Sequence, residues 1–273
     1  MGKTRITGYN LKMIALITML VDHVAAVVIW RIYVASYAIT ASMQQSSSFG
    51  DQIIVWVANN QNLVYLIYEM MRYTGRMAFP IYCFLLVEGF LHTRSVGKYA
   101  LRLLLFAFIS EIPFDLALTG EWWSVSYSNV FFTLVLGLLL IWAISYVEKF
   151  YEFWQEKGWE PMLGSILSLA MGGLLLAIVG GFAEMVLYTD YGFAGIAAIL
   201  IFYLFRRHRE MAFILAILVL TVMSSSTELI AIAMLGTIKM YDGSRGKQMK
   251  YAYYAFYPAH LFVLALICMV LGV

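Results

Sequence analysis

The chain has 273 residues, of which 63% are hydrophobic and 12% charged, with a formal net charge of +2 and a mean hydropathy of +0.82. Ordinary soluble domains carry about 25% charged residues, so this composition excludes a soluble globular protein, and the near-neutral charge gives no footprint for nucleic acid. No polar stretch is long enough to build a further domain, so residues 1–273 are read as one membrane-embedded unit.

About twenty apolar residues cross a bilayer core of roughly 30 Å. By that measure the sequence predicts an all-α polytopic bundle of nine transmembrane helices. They lie near 11–34, 75–92, 99–118, 130–148, 162–187, 191–205, 210–223, 228–240 and 252–272, the sixth to eighth being short. MGKTR ahead of the first apolar run imitates a secretory leader, yet Asp22 and His23 interrupt that run, and it is read as a retained span. Residues 35–74 form the longest outer connection, whose second part is expected at the interface with Trp56, Tyr65 and Tyr68 at headgroup level. With nine spans, Arg31, Arg72 and Arg76 alone among the 18 basic residues fall toward the outer face, and Lys3, Lys157, Arg245, Lys250 and the others share the opposite side. Basic loops stay cytoplasmic, which predicts the amino terminus inside.

The first span, LKMIALITMLVDHVAAVVIW, carries the sharpest signal. A charged group at mid-bilayer costs roughly 2.5–3.5 kcal/mol on insertion scales and so faces protein or a wet cavity. Lys12 and His23 are eleven residues apart, only about 20° beyond three full helical turns, so they share a face about 16 Å apart. A cation at the membrane surface with an imidazole one long reach deeper suits an extended acyl carrier such as coenzyme A. The cation would hold phosphates, and the imidazole, which titrates near neutrality, would move a proton. The plainer reading makes Lys12 a snorkelling residue and His23 an interhelical hydrogen-bonder. Asp22 points about 100° away from His23 and is expected to pair on another helix, with Arg76 the candidate.

In the second span, Pro80 lies between Arg76 and Glu88 and predicts a kink near Arg76. Arg76 suits a carboxylate or phosphate, or a structural ion pair with Asp22 or Asp115. Glu88 in the inner half needs a proton or a partner. Glu111 and Asp115 stand four apart around Pro113, on one helix face, where two carboxylates can share a proton and make a base, or pair separately with Arg72 or Arg76. Asn129 and Thr133 open the fourth span as interhelical polar contacts or substrate contacts. Ser224 to Thr227 read as a short outer loop, and Cys83 and Cys268 as apolar filler. In the last span Tyr257 and His260 flank Pro258, and His260 falls about 13 Å above the inner boundary, level with His23. Two histidines without a third ligand at metal spacing do not make a metal site.

The K-x10-H spacing resembles the R-x10-H signature of the membrane acyltransferases that modify cell-surface glycans, in which the His is essential and the basic residue faces the cytoplasmic donor. Over the whole chain the blocks LKMIALITMLVDHVAAV, GRMAFPIYCFLLVEGFLHTRSVGKYALRLLLFAFISEIPFDL, NVFFTLVLGLL, DYGFAGIAAIL, YDGSRG and YAFYPAHLFVLALI resemble the TraX family, whose name-giving member acetylates the amino terminus of conjugative pilin. The resemblance implies a multi-pass enzyme of the bacterial cytoplasmic membrane that moves an acetyl group from acetyl-coenzyme A, without a metal, to an amine or hydroxyl acceptor. On that reading Lys12 with Arg94 and Arg102 hold the donor. His23, Asp22, Glu111 and Asp115 carry the chemistry, and Arg76, Glu88, Asn129, Tyr257 and His260 line the acceptor site. The V-E-G-F block makes Glu88 a plausible member. The rival from another class is a proton-coupled transporter in which the same buried groups relay protons.

Overall fold

A computed structural model describes residues 5–273 apart from 47, 125, 157–160 and 248, so Lys3 and Lys157 lie outside the described residues. The chain is helical throughout them. In order come α1 (Gly8–His23), a π-helical stretch (Val24–Ile29), α2 (Trp30–Ala35), a 3-10 turn (Ser36–Ala38), α3 (Ala41–Gln44), α4 (Phe49–Asn59), α5 (Gln61–Gly75), α6 (Ala78–His92) and α7 (Val96–Leu118). Then follow α8 (Val130–Glu156), α9 (Pro161–Met185), α10 (Gly192–Leu204), α11 (Arg209–Met223), a 3-10 helix (Ser226–Met234), α12 (Leu235–Lys239) and α13 (Lys250–Leu271). Extended pairing among the described residues is limited to single bridges, Ile6 with Tyr241 and Ser128 with Thr189.

Among the described residues, five helical stretches are long and apolar enough to cross a bilayer: Gly8–Ala38, Gln61–His92, Val130–Phe153, Gly164–Met185 and Tyr251–Leu271. They fall on the first, second, fourth, fifth and ninth expected spans. The expected span 99–118 lies on α7, which carries Glu111, Asp115 and Pro113, and the expected spans 191–205 and 210–223 are the 13- and 15-residue helices α10 and α11. Span 228–240 is built differently, as nine residues of 3-10 helix leading into α12. Ser225 begins it as a cap, its hydroxyl accepting from the Thr227 N–H, so the serine run expected as a loop starts a helix. Large apolar side chains such as Leu169 at 79% and Val222 at 83% exposure are a liability in water and a normal lipid-facing surface in a membrane.

The structure divides into two compact units. The first comprises Met1–Ile81, Phe108–Ser124 and Met240–Val273, and the second Tyr82–Ala107 with Val125–Lys239. In the first, α1 packs on α5 and α13, and α4 closes on α2 and on the end of α13. Ile32, Ile54, Val57 and Val64 form a buried apolar cluster there. Gly50 lets α4 approach the α13 backbone, since a Cβ at this position would lie 2.2 Å from the Leu271 carbonyl oxygen. In the second unit α8, α9, α10 and α11 pack together. There Arg206 pairs with Glu148 at 3.1 Å, and the Tyr203 hydroxyl donates to the same carboxylate at 2.7 Å.

The kink expected from Pro80 is realised as a break. α5 ends in tight turns, with Arg76 N–H donating to the Tyr73 carbonyl and Met77 N–H to that of Thr74. α6 then restarts at Ala78, which puts Pro80 in a first turn, where a missing N–H costs nothing. Pro113 and Pro258 lie inside α7 and α13.

Candidate functional site

The residues that assemble a site in the first unit come from α1, α5 and α13. Thr7 starts α1 with a reciprocal cap, its hydroxyl accepting from the Asn10 N–H while the Asn10 side chain accepts from the Thr7 N–H. From there α1 runs regularly to His23, so the Lys12 to His23 geometry expected of an α-helix holds along its length. That shared face is turned toward α13: the Lys12 ammonium sits over the Tyr253 ring at 5.2 Å, and His23 meets His260. Immediately after His23 the backbone changes to a π-helix, a rare widening that recurs at functional sites.

His23 Nδ1 and His260 Nε2 are 2.7 Å apart. His260 Nδ1 lies 2.8 Å from the Phe256 carbonyl oxygen, one turn earlier on α13. A carbonyl can only accept, so Nδ1 of His260 carries a proton, and in the neutral ring its Nε2 is an acceptor. His23 Nδ1 must then donate, which leaves the lone pair of His23 on Nε2. The chain Phe256 carbonyl, His260, His23 thus fixes one tautomer and gives His23 a basic nitrogen at a set position. The rings are held by packing as well. His260 stacks on Phe256 at 4.8 Å between centroids, and Tyr257 sets its edge against both His23 at 5.8 Å and His260 at 5.6 Å. Tyr257 and His260 are buried, and His23 is half-buried.

Asp22 takes the neighbouring direction on α1, as its 100° offset requires, and its carboxylate receives Arg72 of α5 at 2.7 Å. Arg72 on the α5 that packs beside α1, four residues before the expected Arg76, supplies this ion pair. The pair depends on Gly75, where a Cβ would lie 2.2 Å from Asp22 Oδ1. The pair lies mostly out of solvent, at 26% and 18% side-chain exposure, and makes Asp22 a helix-joining group.

The carboxylates of α7 have their own surroundings. Asp115 is buried and accepts from the Ser124 N–H at 2.8 Å, which folds the turn after α7 back onto the helix. Glu111 is buried one turn earlier. Arg31 donates to the carbonyls of Leu116 and Ala117 at 3.0 and 2.8 Å, where the negative end of the α7 dipole receives a cation. Two of the three basic residues expected on the outer face, Arg31 and Arg72, therefore have local hydrogen-bond partners, and Arg72 an opposite charge.

The remaining expected site residues belong to the second unit. Arg94 is exposed between α6 and α7, Arg102 lies over the Tyr99 ring at 5.6 Å, and Glu88 lines a small cleft with Phe84, Phe202, Arg206 and Arg209. Asn129 is fully buried, its amide donating to the Ala107 carbonyl at 2.8 Å and its oxygen accepting from Phe131 N–H as α8 begins. Thr133 donates to the Asp190 carbonyl. These are interhelical and capping bonds, the plainer of the two readings for this pair.

Sequence reasoning named Arg72 only as a partner for Glu111 or Asp115, and passed over Phe256 and Tyr253; of these two Phe256 left a trace, standing one helical turn before His260.

Among known proteins, the chain is 28% identical over 226 residues to a protein described as probable fimbrial assembly protein FimC, serogroup H1, of Dichelobacter nodosus; the match covers 74% of this chain and 82% of that one. No solved structure matches it significantly. Residues 7–268, nearly the whole length, match the family described as TraX protein, and the chain belongs to the TraX family.

Proposed function

We propose that the chain is a membrane-bound acetyltransferase of the bacterial cytoplasmic membrane. It takes an acetyl group from acetyl-coenzyme A at the cytoplasmic end of α1 and passes it to an amine or hydroxyl acceptor. Family membership and the similarity to a fimbrial assembly protein support the amino terminus of a pilin-like subunit as the first acceptor to test. The observation that carries the reading is the alignment of Lys12 and His23 along one face of α1, with the His23 tautomer set by His260.

In this mechanism His23 Nε2 removes the proton from the acceptor as its nitrogen or oxygen attacks the thioester carbonyl. A C–N or C–O bond forms, the C–S bond breaks, and the proton passes from His23 to the departing thiolate. While His23 is protonated, its Nδ1–H remains bonded to His260 Nε2, so the positive ring keeps its partner throughout. Tyr257 and Phe256 hold both rings against rotation, and Lys12 draws the donor phosphates to the membrane edge.

The test is thiol release by purified protein in the presence of acetyl-coenzyme A and a peptide with a free α-amine. Acceptor-dependent release is expected, falling by about 10²–10⁴ in His23→Ala with folding retained, the usual contribution of a general base. Proteoliposome ion flux with no thiol release from the wild-type protein would instead establish the transporter.

A further inference from the structure

Beyond His23 the first unit carries an aromatic group that the proposed chemistry does not use. α2 packs on α5, and across that contact four rings close a circuit. Trp30 lies 5.9 Å from Tyr33 and 5.2 Å from Tyr68 between centroids, and Tyr65 lies 5.8 Å from Tyr33 and 6.1 Å from Tyr68. Neighbouring planes differ by 26–40°, an offset and nearly parallel arrangement. Trp30 and Tyr65 are exposed, Tyr33 and Tyr68 half-buried, so the group faces outward. Glu69 stands one turn after Tyr65 and one turn before Tyr73 on α5, and the hydroxyls of both hydrogen-bond to its carboxylate. Among the described residues these hydroxyls are its partners, while Arg72 on the next turn is committed to Asp22.

Depth bears on what this group does. Trp30 and Tyr33 stand seven and ten residues beyond His23, about 10–15 Å along the helix and in the direction away from Lys12. The platform therefore lies at the margin of the apolar span opposite Lys12. An interfacial belt accounts for single Trp and Tyr residues at such a margin, but it needs neither a closed set of rings nor a carboxylate. A carboxylate at the edge of a lipid-facing surface is costly without an opposite charge. Electron-rich ring faces beside a carboxylate select an organic cation. The surroundings say which kind. Leu66 and Met70 beside Glu69 on α5, and Val34 beside Trp30 and Tyr33, are exposed apolar side chains, the surface that acyl chains cover in a bilayer. An amphiphile gains from both parts at once, its ammonium on the platform and its chains on this apolar flank; a soluble amine gains only the first.

We propose that Trp30, Tyr33, Tyr65, Tyr68 and Glu69 form a binding site for the ammonium headgroup of an aminophospholipid whose chains lie along Leu66 and Met70. The site goes beyond the acetyl-transfer reading and does not depend on it.

The full chain in uncharged detergent is titrated with phosphatidylethanolamine and with its N-acetyl derivative, which keeps the phosphate and the chains and carries no cation. Bound lipid is measured by native mass spectrometry for wild type, Glu69→Gln, Trp30→Leu and Tyr65→Leu. Trp123→Leu removes an exposed tryptophan outside the platform and serves as the control. Circular dichroism and thermal unfolding verify that each protein is folded, and Tyr65→Leu, at an exposed position, carries the test if another variant is not. Wild type is expected to bind phosphatidylethanolamine at least about tenfold more tightly than the derivative. That preference is expected to fall to about threefold or less in the three platform variants and to persist in Trp123→Leu. Equal affinity of wild type for the two lipids overturns the site, as does a preference that survives in every folded platform variant. Tighter binding of phosphatidylglycerol than of phosphatidylethanolamine overturns it too. Displacement of phosphatidylethanolamine by free ethanolamine at equal concentration also overturns it, since the chains would then contribute nothing.

Discussion

A histidine pair in an apolar helix bundle is common enough as a simple hydrogen bond; what distinguishes this one is direction. The Phe256 carbonyl cannot donate, so the proton order along Phe256, His260 and His23 is forced, and the lone pair emerges on His23 Nε2. In the proposed mechanism His260 is a positioning residue, and its removal is expected to free the His23 tautomer without disturbing the proposed donor site. His260→Phe should lower kcat by about 10²-fold while leaving KM for acetyl-coenzyme A near wild type. His260→Gln, whose side-chain oxygen can still accept from Nδ1–H, should recover part of the loss. Steady-state kinetics on the three proteins decides the matter: equal kcat in His260→Phe and wild type would make the pair structural only.

At the scale of elements, small residues set how closely helices approach, as expected in a membrane, where lipid offers no hydrophobic drive for helices to associate. Gly75 is the clearest case, because it faces the Asp22 carboxylate rather than an apolar side chain. Gly75→Ala should push α5 from α1 and part Asp22 from Arg72. Overpacking costs roughly 1–3 kcal/mol, and an ion pair separated in a poorly solvated place adds to it. Gly97→Ala, where an added Cβ meets nothing within 4 Å, is the matched control. Thermal unfolding in detergent should show a clear drop for the first and little change for the second; equal melting temperatures would mean that α1 and α5 are not held by this contact.

For the whole chain, the contacts between its first and last helices carry a topological consequence. Lys12 meets Tyr253, His23 meets His260, and the Val27 carbonyl accepts from Cys268, so α1 and α13 run parallel. Two parallel spans at the ends of a chain require an odd number of crossings, a condition that nine expected spans and five long helices both meet. The termini are therefore expected on opposite sides, with the amino terminus in the cytoplasm on the evidence of the basic loops. Labelling of single cysteines placed after Met1 and before Val273, with a membrane-impermeant reagent on intact cells, should modify the carboxyl-terminal site alone. Modification of both or of neither would put the termini on one side and overturn the odd number of crossings, and modification of the amino-terminal site alone would invert the orientation.

The sequence by itself determined that the chain is helical and membrane-embedded, since apolar runs of span length leave the backbone no other way to satisfy its hydrogen bonds. It also determined that Lys12 and His23 share a face, because helical periodicity is local and fixed. Levelling His23 with His260 needed only rise per residue. The tertiary structure alone decided the partners: Arg72 for Asp22, Phe256 for His260, Tyr253 for Lys12. Those choices depend on which helix lies beside which and at what rotation, quantities set by packing of side chains distant in sequence, such as Gly75 on Asp22 and the Tyr241–Gly246 loop on Gly8, and no local period encodes them.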